Sequence, residues 1–230
     1  MLVFYYNSTP NPVKIALLLE ELGVPYSVVP IDLCKGDQHK SEFRALNPNG
    51  KVPVVIDTDG ARIFDSNAIL LYLGEKAGRF LGNPGERAEL LSWLFFIATG
   101  VGPFSGQAIH FQHAVQEAMP YAVNRFRREI ERHYRVLDKH LQNRDFILGS
   151  DYSIVDMSAW GWLDRAPRIL PGEDDPLKRF TNVKRLFDAV NARPAAARAR
   201  ELANTYKFDL TLTDASRRAI FPSNYPLTEV

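Results

Sequence analysis

The sequence predicts an α/β domain followed by an all-helical domain. Strand and helix patterns alternate over residues 1–80, which is typical of a compact α/β layer. After residue 84 the strand pattern disappears, and amphipathic helical segments follow one another. Between the two patterns lies Gly82-Asn-Pro-Gly85, whose composition is typical of a linker. With 230 residues and a hydrophobic fraction of 46%, the chain can bury a sizeable core in one large or two small domains.

The first domain is predicted to run β-α-β and then β-β-α. Apolar runs bounded by turn residues predict strands at 2–6, 26–31, 54–56 and 61–64. Apolar residues at helical spacing predict helices at 11–22 and 66–77, and a short helical turn is predicted at 41–46. The β-α-β order predicts that the first two strands are parallel, because a right-handed crossover joins them.

The second domain is predicted to contain only helices. Amphipathic spacing predicts them at 86–99, 121–142, 183–190 and 195–203, with one more after Ser153. Gly100-Val-Gly-Pro103 predicts an interruption after the first of these helices. Ser153 and Asp156 have the spacing of a capping box, with Asp in place of the usual Glu. Asp156 is therefore expected to be structural rather than catalytic.

The C-terminal segment has no clear period and contains Pro222 and Pro226. It is predicted to be an extended tail that packs over the body or is partly disordered. The predicted organisation is therefore 1–82 for the α/β domain, 83–86 for the linker, 87–205 for the helical domain and 206–230 for the tail.

Composition limits the possible partners. The 28 Lys and Arg residues nearly balance the 27 Asp and Glu residues, so no global field attracts nucleic acid or an anionic membrane. No charged N-terminal region precedes a long apolar run, and no uninterrupted apolar segment reaches about 18 residues. A cytoplasmic protein is expected. Cys34 is the single cysteine, which excludes an internal disulfide and a CxxC pair, so a reactive thiol is expected to come from elsewhere.

The segment from Asn47 to Ser66 carries the clearest functional pattern. A cis Val52-Pro53 bond at a strand entrance would leave the N–H and C=O of Val52 open to a peptide-like ligand. Ser66 begins a helix, and helix N-termini favour anions such as a carboxylate. Asp65 beside it suits an ammonium group. A carboxylate and an amine side by side describe the end of an amino acid, although a hairpin with an ordinary helix cap explains the same residues.

These elements, in this order, resemble the glutathione transferase superfamily from Leu2 to about Thr205. The resemblance rests on the β-α-β-β-β-α domain with its Val-Pro and Asp-Ser steps, the linker and the helical domain with its Ser-Ile-Val-Asp box. Five motifs are similar to the bacterial Nu class: Ser8-Thr-Pro-Asn11, Gly36-Asp-Gln38-His39, Asn47-Pro-Asn-Gly-Lys51-Val-Pro53, Phe64-Asp-Ser66-Asn-Ala-Ile-Leu-Leu-Tyr72 and Met119-Pro-Tyr121-Ala.

The resemblance implies a thioredoxin-like N-terminal domain, a helical-bundle C-terminal domain, a homodimer and glutathione as bound co-substrate without a metal. Nu-class members are glutathione-dependent disulfide-bond oxidoreductases, so it implies thiol–disulfide exchange with a small disulfide and some organic hydroperoxide reduction. A transferase that conjugates glutathione to an electrophile is one alternative. A non-catalytic glutathione-binding regulatory or interaction module is the other.

The resemblance also implies where glutathione binds. Asp65 and Ser66 would hold the γ-glutamyl end, and Val52 before Pro53 would pair its backbone with the cysteinyl unit. Two further residues fall where the family contacts the glycyl end, and a lysine suits its carboxylate. These two residues are Gln38 and Lys51.

Thr9 and Asn11 fall where the class places a hydroxyl and an amide near the sulfur. The thiolate is the nucleophile, and neutral donors with a helix dipole stabilise it without accepting its proton. Ser8 competes with Thr9 for the sulfur contact, and the Thr-Pro-Asn context favours Thr9. Pro12 stands where the class has Gly, a departure that a first helical turn tolerates.

A second group of residues is expected to bind the second substrate. Arg125 matches the position where the class uses an arginine against the carboxylate of a second glutathione. The alternative is a surface arginine in a basic helix. The predicted second-substrate pocket is formed by Phe104, His110, Phe111 and Trp162. His110 and His113 have helical spacing but no third ligand in register, so a metal site is not expected.

Overall fold

A computed structural model describes residues 1–172 and 174–225 and contains both predicted parts. Its strands are β1 (Leu2–Tyr6), β2 (Tyr26–Pro30), β3 (Val54–Ile56) and β4 (Arg62–Phe64). They form one sheet in the order β2-β1-β3-β4. β1 and β2 are parallel, as predicted, and β3 pairs antiparallel with both β1 and β4. The expected thioredoxin-like sheet is confirmed.

The helices of the first domain are α1 (Pro10–Leu22), α2 (Ser41–Arg44) and α3 (Ser66–Ala77), with 3-10 turns at Leu33–Lys35 and Asp37–His39. α1 starts after Thr9 with a proline in its first turn and ends at Gly23, whose φ of 67° lies in the left-handed region that favours glycine. Residues 12–19 of α1 are all buried. The helix lies between the first domain and helices of the second, so every side of it is covered.

The second domain is helical, as predicted. Its helices are α4 (Arg87–Phe96), α5 (Gly102–His113), α6 (Pro120–His140), α7 (Ile154–Leu163), α8 (Ala166–Ile169), α9 (Thr181–Asn191) and α10 (Pro194–Thr205), and a 3-10 turn at Pro84–Glu86 precedes α4. One apolar core runs through both domains and includes the large buried side chains of Phe4, Tyr134 and Trp160.

The predicted interruption at Gly100–Pro103 is wrong. Ile97–Val101 forms a π-helical turn that joins α4 directly to α5. Proline lacks an N–H, and a π turn changes the pattern of backbone hydrogen bonds at that point without ending the helix. Gly100 also permits close packing, because a Cβ there would overlap the ring of His133.

The joined segment Pro84–His113 is long and apolar enough to cross a membrane by length and composition. It is the one such helix among residues 1–172 and 174–225. Core helices of folded domains satisfy the same criterion, and Leu90, Leu94 and Ile97 of this segment are buried in the core.

The capping box at the start of α7 is confirmed. The carboxylate of Asp156 accepts hydrogen bonds from the Ser153 N–H at 2.8 Å, the Ser153 hydroxyl at 2.9 Å and the Ile147 N–H at 2.8 Å. Burial raises the pKa of Asp156 to about 6, and these donors oppose that rise. The side chain fixes both the helix start and the preceding loop, which supports its structural role.

The prediction of an extended tail is wrong for Asp214–Ile220, which forms a helix, α11, followed by a 3-10 turn at Pro222–Asn224. Thr213 caps α11 by accepting from the Ser216 N–H at 3.1 Å. The helix packs on the 3-10 turn at Leu33–Lys35, so the described part of the tail does lie over the body. Seven residues are too few to show a clear helical period. Residues 226–230 of the predicted tail lie outside the described residues.

Candidate glutathione site

The predicted reactive residues lie at the N-terminus of α1. Thr9 is the N-cap residue, and its hydroxyl caps no N–H of the helix. Asn11 follows in the first turn, and its Oδ1 accepts a hydrogen bond from the indole N–H of Trp162 at 3.1 Å. Because the amide oxygen takes this bond, the amide NH2 remains as a donor. The helix start thus offers a hydroxyl, an amide donor and the positive end of the helix dipole to an anion.

Ser8 lies beside Thr9, and its backbone is fixed from the second domain. The Arg165 guanidinium donates to the Ser8 carbonyl at 2.8 Å. Ser8 and Thr9 are both half-buried, so the geometry keeps both hydroxyls as alternatives for the contact with sulfur.

The Val52-Pro53 segment has the predicted open backbone. The bond is cis, Pro53 is buried and Val52 is half-buried. Within the part of the chain that the structure describes, neither the N–H nor the C=O of Val52 has a backbone partner. The preceding Lys51 carbonyl accepts from the Asn47 side chain at 2.6 Å, which fixes the loop that leads to Val52.

Asp65 and Ser66 form the start of α3, as predicted. Asp65 has a φ of 68°, which residues other than glycine rarely adopt. Its Oδ1 accepts from the N–H groups of Asn67 at 2.9 Å and Ala68 at 3.2 Å. This leaves the second oxygen of the carboxylate available to a ligand. Ser66 is buried in the first helical position.

The buried lysine Lys14 contacts the start of α3, and the sequence predicted no role for it. Lys14 of α1 is 1% exposed, and its ammonium donates to Asn67 Oδ1 at 3.1 Å and to Ser158 Oγ at 3.2 Å. Burial lowers its pKa to about 7, although the charge of Asp65 opposes this. The available signal was one lysine inside the otherwise apolar run from Val13 to Leu19.

Gln38 is close to Lys51 but is engaged by the chain's own tail. Gln38 is 3% exposed, and its Nε2 donates to the carbonyl of Ala219 in α11 at 2.9 Å. His39 Nε2 lies 2.8 Å from the same carbonyl. Gly50, next to Lys51, packs so closely that a Cβ there would lie 3.1 Å from the Gln38 carbonyl. Gln38 therefore packs against the residue that precedes Lys51, and the tail helix α11 contacts Gln38.

Three of the four predicted second-substrate residues lie in one aromatic cluster. Phe104 and Phe111 both contact Phe126, with ring centroids 6.2 and 5.3 Å apart, and Phe111 stacks on it at 11°. His110 lies edge-on to Phe111 at 5.2 Å and to Phe221 of the tail at 4.6 Å. We call these five residues the aromatic cluster.

Trp162, the fourth, has a different position. Its indole N–H binds Asn11, and its ring packs against α5, where a Cβ at Gly102 would lie 3.0 Å from the indole nitrogen. Trp162 therefore connects α5 to the start of α1 rather than lining the aromatic cluster.

Arg125 lies beside the aromatic cluster. Its guanidinium is 6.0 Å from the centroid of the Phe104 ring and donates to Glu129 at 3.0 Å. The hydrogen bond from Arg132, with a further one from Arg125, lowers the pKa of Glu129 to about 2, although burial opposes this. The Arg125 side chain is 50% exposed, so it remains accessible to an anion despite this pair.

Cys34 has none of the features of an activated thiol. It is half-buried in the Leu33–Lys35 turn, and burial raises the pKa of its thiol, with further contributions from Asp32 and Asp209. Among residues 1–172 and 174–225, no group of three or more His, Cys, Asp or Glu side chains could hold a metal ion.

Comparison with known proteins identifies the family. The family described as "Glutathione S-transferase, N-terminal domain" matches residues 9–76, and "Glutathione S-transferase, C-terminal domain" matches residues 120–189. The chain belongs to the glutathione S-transferase family. The disulfide-bond oxidoreductase YfcG of Escherichia coli K12 is 40% identical to this transferase over 206 residues, covering 86% of this chain and 94% of the relative.

Solved structures agree with this assignment. A glutathione transferase family member from Pseudomonas fluorescens, with two glutathione bound, has a TM-score of 0.81 at 33% identity and covers 86% of this chain and 91% of that one. A glutathione transferase from Pseudomonas putida, with one glutathione disulfide per subunit, has a TM-score of 0.81 at 32% identity and covers 86% and 90%.

Proposed function

We propose that this transferase is a glutathione-dependent disulfide-bond oxidoreductase in which bound glutathione supplies the reactive thiol. The observation that carries the proposal is the start of α1, where Trp162 takes the Asn11 oxygen and leaves the amide and the Thr9 hydroxyl as donors. Such donors stabilise a thiolate, which is the attacking species in thiol–disulfide exchange. YfcG is a disulfide-bond oxidoreductase, and the Pseudomonas putida relative was crystallised with glutathione disulfide.

In this proposal, glutathione lies across the entrance to β3 and the start of α3. The second oxygen of Asp65 accepts the γ-glutamyl ammonium, and Ser66 with the α3 N-terminus binds the γ-glutamyl carboxylate. Val52 pairs its open N–H and C=O with the cysteinyl unit, and the Lys51 ammonium binds the glycyl carboxylate. Gln38 contributes at the glycyl end when the tail carbonyl of Ala219 releases its amide.

The reaction proceeds as two exchanges. The glutathione thiolate, stabilised by Thr9 and Asn11, attacks one sulfur of the substrate disulfide, which forms a mixed disulfide and releases the other sulfur as a thiolate that takes up a proton. A second glutathione, also as thiolate, attacks the glutathione sulfur of that mixed disulfide. Glutathione disulfide forms and the remaining substrate thiol leaves. Arg125 binds a carboxylate of the second glutathione. The same bound thiolate can reduce an organic hydroperoxide as a side reaction.

A conjugating transferase is the second candidate, because the aromatic cluster offers apolar surface to an electrophile. The test compares, at equal glutathione concentration, the turnover of a small mixed disulfide with that of chlorodinitrobenzene. We expect faster reduction of the disulfide, and Arg125→Ala should slow that reaction but not conjugation. Faster conjugation would make the transferase reaction the principal activity, and no turnover of either compound would favour a non-catalytic binding module.

We also propose that the protein is a cytoplasmic homodimer. Phe64 on the edge strand β4 and Phe95 on α4 are exposed aromatic side chains that a second subunit could cover. Light scattering should give the mass of two chains for the wild type, and Phe95→Glu should shift the equilibrium towards the monomer. A monomeric wild type at micromolar concentration would refute the dimer.

A further inference from the structure

Lys14 places a charged side chain where three helices meet. It lies on α1, and its ammonium contacts Asn67 on α3 and Ser158 on α7. The Ser158 hydroxyl also donates to Asn67 Oδ1, at 2.5 Å. The Asn67 oxygen therefore accepts two hydrogen bonds, one from α1 and one from α7. These bonds tie the start of α3 to the helix that carries the reactive residues and to the second domain.

The burial of this ammonium is costly for the fold. Lys14 is 1% exposed, and its two hydrogen-bond acceptors are neutral oxygens. A buried charge without a tightly paired counter-ion loses its hydration, and apolar replacements of buried charged groups often leave stability unchanged or raise it. The burial-lowered pKa of Lys14, about 7, reflects the same cost. Stability alone therefore does not explain a lysine at this position.

The position of Asn67 connects Lys14 to the proposed ligand. Asn67 directly follows Asp65 and Ser66, and its backbone N–H donates to Asp65 Oδ1 at 2.9 Å. Asp65 keeps a φ of 68°, a conformation that needs support from its surroundings. The hydrogen bonds that Lys14 and Ser158 donate to the Asn67 side chain therefore also fix the turn that presents the second Asp65 oxygen and the Ser66 hydroxyl.

We propose that Lys14 is a positioning residue for the γ-glutamyl end of glutathione, which it controls by fixing Asn67 and thereby the Asp65–Ser66 turn. This inference rests on the proposed function only in that the site binds glutathione. Lys14 touches no reacting atom in this arrangement. Its loss should weaken glutathione binding and leave the chemistry at the sulfur, on the side chain of the cysteinyl unit, largely intact.

The test uses Lys14→Met in the full-length protein, because Met keeps an unbranched apolar stem and removes the charge and the donors. Calorimetric titration with glutathione should give a dissociation constant at least tenfold higher than that of the wild type. Titration with cysteinylglycine, which lacks the γ-glutamyl unit, should give the same weak affinity for both proteins. In turnover of a mixed disulfide, KM for glutathione should rise tenfold while kcat stays within threefold.

Two controls separate positioning from folding. Chemical denaturation of Lys14→Met should give a midpoint equal to or above that of the wild type, whereas a structural role would lower it. Ser158→Ala keeps Lys14 but removes one acceptor of its ammonium and the second hydrogen bond to Asn67 Oδ1, and it should raise the glutathione dissociation constant two- to threefold. It provides the same test if Lys14→Met does not fold.

Three results would overturn the inference: unchanged glutathione affinity in both variants, equal losses for glutathione and cysteinylglycine, or a loss of affinity that the unfolded fraction accounts for in both variants. A wild type that binds glutathione but reduces no disulfide would refute the proposed function and leave the role of Lys14 standing. A wild type that does not bind glutathione would refute both.

Discussion

At the scale of single residues, one hydrogen bond decides what Asn11 can do. A side-chain amide offers both an acceptor and donors, and the Trp162 indole can only donate. Their contact at 3.1 Å therefore assigns the oxygen of Asn11 to Trp162 and leaves the NH2 group for a ligand. A donor without acidic or basic character stabilises a thiolate over a wide pH range. Such a donor suits a site in which the reactive thiol belongs to bound glutathione.

The proposed hydrogen bonds from Thr9 and Asn11 to the sulfur can be tested by removing their donors one at a time. Thr9→Ala and Asn11→Ala should each raise the pKa of the bound glutathione thiol by up to about one unit and lower kcat/KM at pH 7 about tenfold. Ultraviolet titration of the thiolate and steady-state kinetics measure the two effects. Ser8→Ala is the matched control and should leave both values unchanged. If Ser8→Ala has the larger effect, the sulfur contact belongs to Ser8.

Trp162→Phe tests the orientation of the amide. The ring is retained and the N–H is lost, so the Asn11 amide can rotate and present its oxygen to the sulfur. The bound thiol should then titrate at a higher pH than in the wild type, with a smaller effect than that of Asn11→Ala. Indistinguishable thiol titrations of Trp162→Phe and the wild type would show that the indole does not orient Asn11.

Lys14 also predicts a pH dependence of stability. Its pKa is about 7 in the folded protein because the side chain is buried, whereas the unfolded chain keeps a value of about 10.4. Between these values the unfolded state binds more protons, so this group makes the free energy of unfolding rise with pH. The stability advantage of Lys14→Met over the wild type should therefore be largest below pH 7 and shrink towards pH 9. Urea denaturation at pH 6, 7.5 and 9 measures it, and an advantage that grows with pH would contradict the assignment.

At the scale of elements, the start of α7 depends on Asp156. Its carboxylate satisfies two main-chain N–H groups, those of Ser153 and Ile147, and a side-chain hydroxyl. Asp156→Ala should lower the free energy of unfolding by about 2–4 kcal/mol, because the helix loses its cap and buried donors lose their acceptor. Asp156→Asn retains an acceptor and should cost less. Chemical denaturation measures both, and a loss below about 0.5 kcal/mol for the alanine variant would contradict the role.

The elements differ in how far the sequence predicts them. α3 and the strands follow from local periodicity and turn residues, and so do their bounds to within about one residue. The break at Gly100–Pro103 was predicted wrongly because glycine and proline usually end helices. Here the ring of His133 on α6 packs against Gly100, and the chain continues through a π turn. α11 is held by contacts with Gln38 and the Leu33–Lys35 turn, far away in sequence.

At the scale of the whole molecule, the site depends on contacts between the two domains. Trp162 and Asn11 are 151 residues apart in sequence, and Lys14 and Ser158 are 144 residues apart. The residues that resemble family motifs could be placed from the sequence, because each motif is local. The groups that orient them could not, since no local pattern records a partner in the other domain.

The tail makes two further long-range contacts. Ala219 accepts from Gln38, and Phe221 packs on His110, so one segment touches both the predicted glycyl end and the aromatic cluster. In the proposed site, a glycyl carboxylate near Gln38 and a substrate at the aromatic cluster would both contact the tail. The sequence left open whether the tail packs over the body or is partly disordered, and nothing in it indicates these two contacts.

In the proposed reaction, bound glutathione, and not a thiol of the protein, attacks the substrate disulfide. Cys34 is the single cysteine of the chain, and burial raises the pKa of its thiol. The most direct measurement is the glutathione-dependent reduction of a small mixed disulfide by Cys34→Ser. We expect the wild-type rate with the wild-type dependence on glutathione. Loss of activity in Cys34→Ser, with glutathione binding intact, would contradict it.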